Sequence, residues 1–412
     1  MVYARSFGVG DVTRRLPVTL GAPFEIGSIT KQFTAASILQ LQEAGRLQID
    51  KPLSDYLPDA PHAREVTLRQ LLTHTSGLHD YLDDAPRQLV ARPITYSDLI
   101  ARVAALPLDF PPGSRWRYTN TGYLLLGRVI EVVSGETYTA YLQHHILEPL
   151  HMKDTYTTAD EGRVPNMLVG YHRVHGVVEP APIIDATWGG AAGLLISTVG
   201  DLATWDAALR GGRVVSKDDY RAMTTPFVTS AGENTGYGFG LFVDSAYGQP
   251  RIGHTGGSWG FTTADEYFPD QALRIIAFTN LGDATPEPAE ALTNVLFADL
   301  YPAIASKALT AAPGEDPKVT QTVHAAMREL QTGGTYAHFS LNLRRKLVDG
   351  AGSGFVASLG PYGEPATEVF KGVRHDGSAA WYDYVIQFGP GVFLPFSVRI
   401  GEDGGVAGFS VG

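Results

Sequence analysis

A hydroxyl and an ammonium stand three positions apart in "FEIGSITKQF" (24–33), as Ser28 and Lys31. At i and i+3 of a helix, two such residues are neighbours on one face. A serine hydroxyl is a poor nucleophile at neutral pH and needs a base within hydrogen-bond reach. Lysine serves as that base when its surroundings depress its pKa, and burial among apolar groups does so. The following stretch predicts such burial. Phe33, Ala35, Ala36, Ile38, Leu39 and Leu41 put apolar groups on most sides of a helix that Gly45 stops. A serine at the head of that helix also has a backbone N–H to offer an oxyanion. The competing reading is a Ser28 cap with Lys31 reaching out to solvent.

Two further stretches suit the same chemistry. "PPGSRWRYTNTGY" (111–123) carries Tyr118-Thr119-Asn120 in a turn-rich loop ahead of a helix. A tyrosine hydroxyl can relay a proton, and an amide two residues on can orient both a lysine and a substrate carbonyl. "RIGHTGGSWGFTTADEYF" (251–268) reads as two edge-forming strands around His254-Thr255-Gly256-Gly257. Glycines there let a substrate backbone lie flat against the strand. Taken alone, each of these is a weak signal, as ordinary as a loop tyrosine or a hairpin of small residues.

Taken in order, Ser28-Ile29-Thr30-Lys31, Tyr118-Thr119-Asn120 and His254-Thr255-Gly256 resemble the three motifs of the penicillin-recognising serine enzymes. That superfamily includes class C β-lactamases, D-alanyl-D-alanine carboxypeptidases, D-aminopeptidases and family VIII esterases. "LRQLLTHTSGL" (68–78), "PLHMKDTYT" (149–157) and "WGGAAGLLISTVGDLATW" (188–205) match as well, so the resemblance covers about residues 1–305. It implies a serine hydrolase that works through an acyl-enzyme on Ser28, with Lys31 and Tyr118 as the proton-transfer pair. It further implies that Asn120 orients Lys31 and the substrate amide. The oxyanion hole would be the backbone N–H groups of Ser28 and Gly257, and Thr255 would face a substrate carboxylate. Thr255, Gly256 and Trp259 would then contact substrate. His254 would complete the catalytic set, and it stands where β-lactamases of this shape usually carry lysine. With an unperturbed pKa of about 6.5 it is largely neutral at pH 7. The preferred reading is therefore an esterase or D-amino-acid peptidase that is weak on β-lactams. The alternatives are a true class C-like β-lactamase and a non-catalytic penicillin-binding sensor or scaffold.

The elements that must position these residues follow from the same patterns. The resemblance implies an α+β fold: a β-lactamase/transpeptidase-like domain with an antiparallel central sheet flanked by helices, plus an all-helical region. "LLLGRVIEVVSGETYTAYLQHHILEPL" (124–150) reads as two helices broken at Gly135, "LRIIAFTNL" (273–281) as a buried strand, and 286–305 as one helix. The seam "LTAAPGEDPKVT" suits a linker. The expected organisation is thus a hydrolase domain over 1–308, a linker over 309–320 and a small accessory α+β domain over 321–412. That last domain predicts one amphipathic helix and three or four antiparallel strands, with turns at His375-Asp376-Gly377 and Glu402-Asp403-Gly404. Relatives carry a helix and a first strand ahead of the segment resembling "VYARSFGVGD"; here that first strand is expected to be missing, or its slot filled by another segment.

The totals narrow the partners. A chain of 412 residues carries more than one small core. Its net charge of −11 and lack of a basic run argue against nucleic acid. No apolar run approaches the roughly 20 residues that span a bilayer. "MVYARSFGVG" lacks the charged and apolar regions of a signal peptide, and a truncated N-terminus would leave a periplasmic or secreted setting open. With zero cysteines there is no disulfide, thiol catalysis or thiolate metal site. No cofactor or metal is expected. His74 is read as part of a structural loop, Trp188 and Trp205 as packing residues, and the partner as a small ester, amide or peptide, with a homo-oligomer compatible.

Overall fold

The computed structural model describes residues 3–83, 85, 89–157, 164–174, 177–182, 184–193, 195–282, 288–332, 335–348, 363–376, 379–389 and 392–411. The chain divides into two compact units, Met1–Asp283 and Ala284–Gly412.

The first unit is built around the helix Thr30–Glu43, which follows a 3-10 turn at Gly27–Ile29. Eleven of its fourteen residues are buried. Phe33 stacks on Trp205 at 3.8 Å, and Ile38 and Leu39 join a core that includes Leu71, Leu125 and Val129. The polar residues on this buried helix are all partnered, as burial requires. Thr34 Oγ1 donates to Ala191 O (2.6 Å), Ser37 Oγ to Phe33 O (2.8 Å), and Thr30 Oγ1 accepts from Leu195 N (3.1 Å). Gly45 ends the helix at φ +69°, with its N–H on Gln42 O and that of Arg46 on Leu41 O, the paired bonds of a Schellman stop.

A second helix, Asn120–Ser134, packs beside it and ends at Gly135, φ +79°. Thr119 caps its start by accepting from Thr121 N. The chain resumes as Tyr138–Leu142 and continues through a π-helical turn, Gln143–Leu147.

Four antiparallel strands form the main sheet, in the order Leu273–Thr279, Phe261–Phe268, Gln249–Ser258, Phe242–Ala246. The sequence reading made the two strands around His254 edge-forming; they are the interior pair. Phe242–Ala246 flanks the pair on one side and Leu273–Thr279 on the other, and Thr262, Thr263, Ala264 and Asp265 are all buried. Leu273–Thr279 pairs on one side only among the described residues. Val9–Asp11 lies outside this sheet, in its own hairpin with Leu16–Pro17, tied down by Asn280 Nδ2 donating to Val9 O (3.2 Å).

The second unit begins with two helices, Pro288–Leu300 and Pro302–Ala308, where the sequence suggested one. Pro302 at the head of the second explains the break, since proline cannot supply the N–H to continue the first. The amphipathic helix is Pro317–Thr332 and the sheet has four strands, Thr367–Asp376, Ala379–Gly389, Val392–Ile400 and Val406–Val411. Gly404 turns at φ +75°, while Gly377 lies outside the described residues. The unit has its own core of Val323, Met327, Leu330, Phe370, Ile386 and Phe396. The stretch 309–320 lies inside this unit and not at its border. Ala312 N donates to Phe370 O (2.8 Å), and Lys371 Nζ donates to Ala308 O (2.8 Å) and Thr310 O (3.0 Å).

Candidate active site

Gly27, at φ +51°, turns the chain so that the backbone before Ser28 lies directly against the strand Gln249–Ser258. A Cβ at Gly27 would sit 2.6 Å from Gly257 O, and one at Gly256 would sit 1.9 Å from Ile26 O. Only glycines allow this approach. It brings Ser28 and Gly257 onto the wall of one cavity of about 370 Å³.

Ser28 does not cap the helix, and Lys31 does not reach solvent; it is 0 % exposed. Its Nζ lies 3.0 Å from Ser28 Oγ, 2.8 Å from Asn120 Oδ1 and 2.9 Å from Ala192 O. The last two are carbonyl oxygens and can only accept. A neutral amine spends its two N–H groups on them and turns its lone pair to the Ser28 hydroxyl. Burial favours that neutral form and pulls the Lys31 pKa down to about 7, against the opposing charge of Asp80. The Tyr118 ring stands 4.7 Å from Nζ and the Tyr123 ring 5.6 Å.

The Asn120 amide is fixed from behind. Its Nδ2 and its backbone N both donate to Asp80 Oδ2, at 3.0 and 2.7 Å, which assigns Oδ1 to the Lys31 side. Asp80 is itself buried, and burial raises its pKa against the N–H groups of Leu82 and Asn120. The sequence reading missed Asp80. The available signal was an acid in "THTSGLHDY", next to a stretch already singled out.

His254 faces away from the cavity. It is buried among the rings of Phe242 (4.9 Å), Tyr237 (5.7 Å) and Tyr118 (6.1 Å). Its Nδ1 lies against Thr255 O and so carries the proton, leaving Nε2 to accept from Tyr237 OH (3.0 Å). Burial, aided by the charge on Lys31, takes its pKa to about 3. From this end of the strand Gly257, Ser258 and the following Trp259 reach the cavity, whereas His254, Thr255 and Gly256 do not line it. The rest of the wall is largely apolar, with Tyr81, Leu82, Val90, Ile184 and Trp188. Its charged members among the described residues are two acids, Glu25 and Asp185. Glu25 accepts from Ser258 Oγ, and Asp185 Oδ1 accepts from Thr187 Oγ1 (2.7 Å).

Comparison with known proteins places this geometry. The family described as Beta-lactamase matches residues 1–300. Penicillin-binding protein 4* of Bacillus subtilis is 30% identical over 325 residues, covering 73% of this chain and 71% of that protein. The solved D-stereospecific amidohydrolase from Streptomyces sp. is 32% identical, with a TM-score of 0.58 over 63% of this chain and 83% of its own. The octameric penicillin-binding protein homologue from Pyrococcus abyssi, at 24% identity and a TM-score of 0.62, shares the fold over 98% of this chain and 90% of its own.

Proposed function

The chain belongs to the β-lactamase family of serine hydrolases, and from that premise we propose that it cleaves esters or amides of D-amino-acid type through an acyl-enzyme on Ser28. The observation that carries this reading is the fully buried Lys31 Nζ, 3.0 Å from Ser28 Oγ and shifted to about 7. Ser28 Oγ attacks the scissile carbonyl carbon while its proton passes to Lys31 Nζ. The oxyanion rests on the N–H groups of Ser28 and Gly257. Lys31 and Tyr118 return the proton to the departing amine or alcohol as the C–N or C–O bond breaks. Water then attacks the acyl-enzyme carbonyl, giving its proton to the same pair, and Ser28 regains its hydroxyl. Asn120 keeps Lys31 in place throughout.

The acyl group is limited by the wall. Among the described residues the charged groups of the wall are the two acids, which suit a neutral or ammonium-bearing donor and repel a substrate carboxylate. His254, neutral and turned away, supplies no countercharge to such a carboxylate. The D-amino-acid preference draws on the name of the Streptomyces neighbour. The fold shared with an octameric homologue supports self-association, which light scattering of the full chain would reveal.

The test compares kcat/KM for p-nitrophenyl butyrate, D-phenylalanine amide, a D-Ala-D-Ala peptide and nitrocefin. Peptide mapping after fluorophosphonate treatment should place a single adduct on Ser28, lost in Ser28→Ala. A nitrocefin value more than tenfold above the others would make this a β-lactamase, and an adduct on another serine would remove the assignment altogether.

A further inference from the structure

His74 is a histidine whose type packing alone does not explain. It is fully buried and holds a left-handed backbone at φ +57°, a conformation uncommon outside glycine. Three ties bind it to the Tyr118 loop. His74 O accepts from Arg117 N (3.0 Å), and His74 Nδ1 accepts from Thr119 N (3.3 Å). The imidazole also lies 4.3 Å from the Tyr118 ring, tilted by 37°. Tyr237 and Tyr123 close around it at 4.6 and 5.1 Å.

Since Nδ1 accepts, the neutral ring carries its proton on Nε2. That buried atom has no hydrogen-bond partner among the described residues. A buried donor left unmade is a cost to stability. Phenylalanine would fill the same space without that cost, but would leave the Thr119 N–H unmet. Asparagine would tolerate the backbone and accept that bond, but could not cover Tyr118. Histidine does both.

We infer that His74 is a positioning residue for the reaction, holding the Tyr118 ring against Lys31 Nζ. The inference rests on the reading of Tyr118 as a proton-transfer group. Burial holds His74 in the neutral form that Nδ1 acceptance requires.

The experiment uses the full chain and p-nitrophenyl butyrate, with His74→Asn, His74→Gln, Tyr118→Phe and the His74→Asn/Tyr118→Phe double variant. His74→Asn should unfold cooperatively, keep KM within about threefold and lose about 10²-fold in kcat, the scale of a small misplacement of a reacting group. The double variant should be no slower than Tyr118→Phe alone, because His74 acts through that residue. Unchanged kcat in His74→Asn, additive losses in the double variant, or failure of both His74→Asn and His74→Gln to fold would each overturn the inference. Unchanged kcat in Tyr118→Phe would instead sink the reading of Tyr118 on which it stands.

Discussion

Asp80 holds Asn120 by two hydrogen bonds to one carboxylate oxygen, from the backbone N at 2.7 Å and from Nδ2 at 3.0 Å. The pair fixes which way the amide faces, so Asn120 Oδ1 is left for Lys31. Asp80 also raises the Lys31 pKa through its charge, opposing burial. Asp80→Asn removes that charge. Lys31 should then lose its proton more readily, and the acid limb of the kcat/KM profile should move to lower pH. The looser Asn120 should cost about 10-fold in kcat, as when a positioned group loses its orienter. A limb that stays put would show that Asp80 acts on Asn120 alone.

In the proposed mechanism Lys31 acts as a neutral amine, so kcat/KM on p-nitrophenyl butyrate should fall as pH drops through about 7, where Nζ gains its proton. His254, held near 3, titrates far below that range. His254→Gln should therefore leave the limb where it is, whatever it does to stability. Lys31→Ala should cost at least about 10³ in kcat, the scale on which members of a concerted unit fail.

Gly256 tests the backbone contact that joins nucleophile turn to strand. A Cβ there would meet Ile26 O at 1.9 Å and Thr263 Oγ1 at 2.5 Å, and neither the main chain nor a buried hydroxyl can yield cheaply. Gly256→Ala should push the strand away from Ser28 and separate the N–H groups of Ser28 and Gly257, the proposed oxyanion donors. A loss of about 10²–10³ in kcat is expected, the cost of one such donor, with thermal unfolding showing a lower midpoint. Gly257→Ala, where open space surrounds the added carbon, is the control and should fold as stably as the parent.

A buried ion cluster fixes the far end of the same assembly. Arg274 pairs with Asp265 and, at 3.0 Å, with Asp206, while Gln32, next to Lys31 in the chain, reaches both Asp265 (3.4 Å) and Trp205 Nε1 (2.9 Å). Asp265 is 0 % and Asp206 4 % exposed. Arg274→Met would leave two buried carboxylates competing for the remaining donors. It should destabilise the fold by about 3–5 kcal/mol. Chemical denaturation would measure it, and a loss below 1 kcal/mol would show the cluster to be hydrated in solution.

Short-range pattern made much of this protein readable in advance. The spacing of Ser28 and Lys31, the apolar surround of their helix and its stop at Gly45 are all local, and neighbours four residues apart decide them. The alternation in the last strands and the amphipathic helix before them are equally local. What spacing could not supply is the outcome of contacts distant in sequence. Asp80 lies 40 positions from Asn120, and Ala192 lies 161 from Lys31, yet these groups settle the amide's orientation and spend the lysine's N–H groups. The type of His254 can be read from the sequence, but its burial depends on Tyr237 and Phe242, which no motif marks. The interior place of its strand was likewise decided by which strands pair on either side. Residue type and spacing determine which chemistry is available; desolvation and long-range hydrogen bonding, which exist only once the chain has closed on itself, decide which groups carry charge and which way they face.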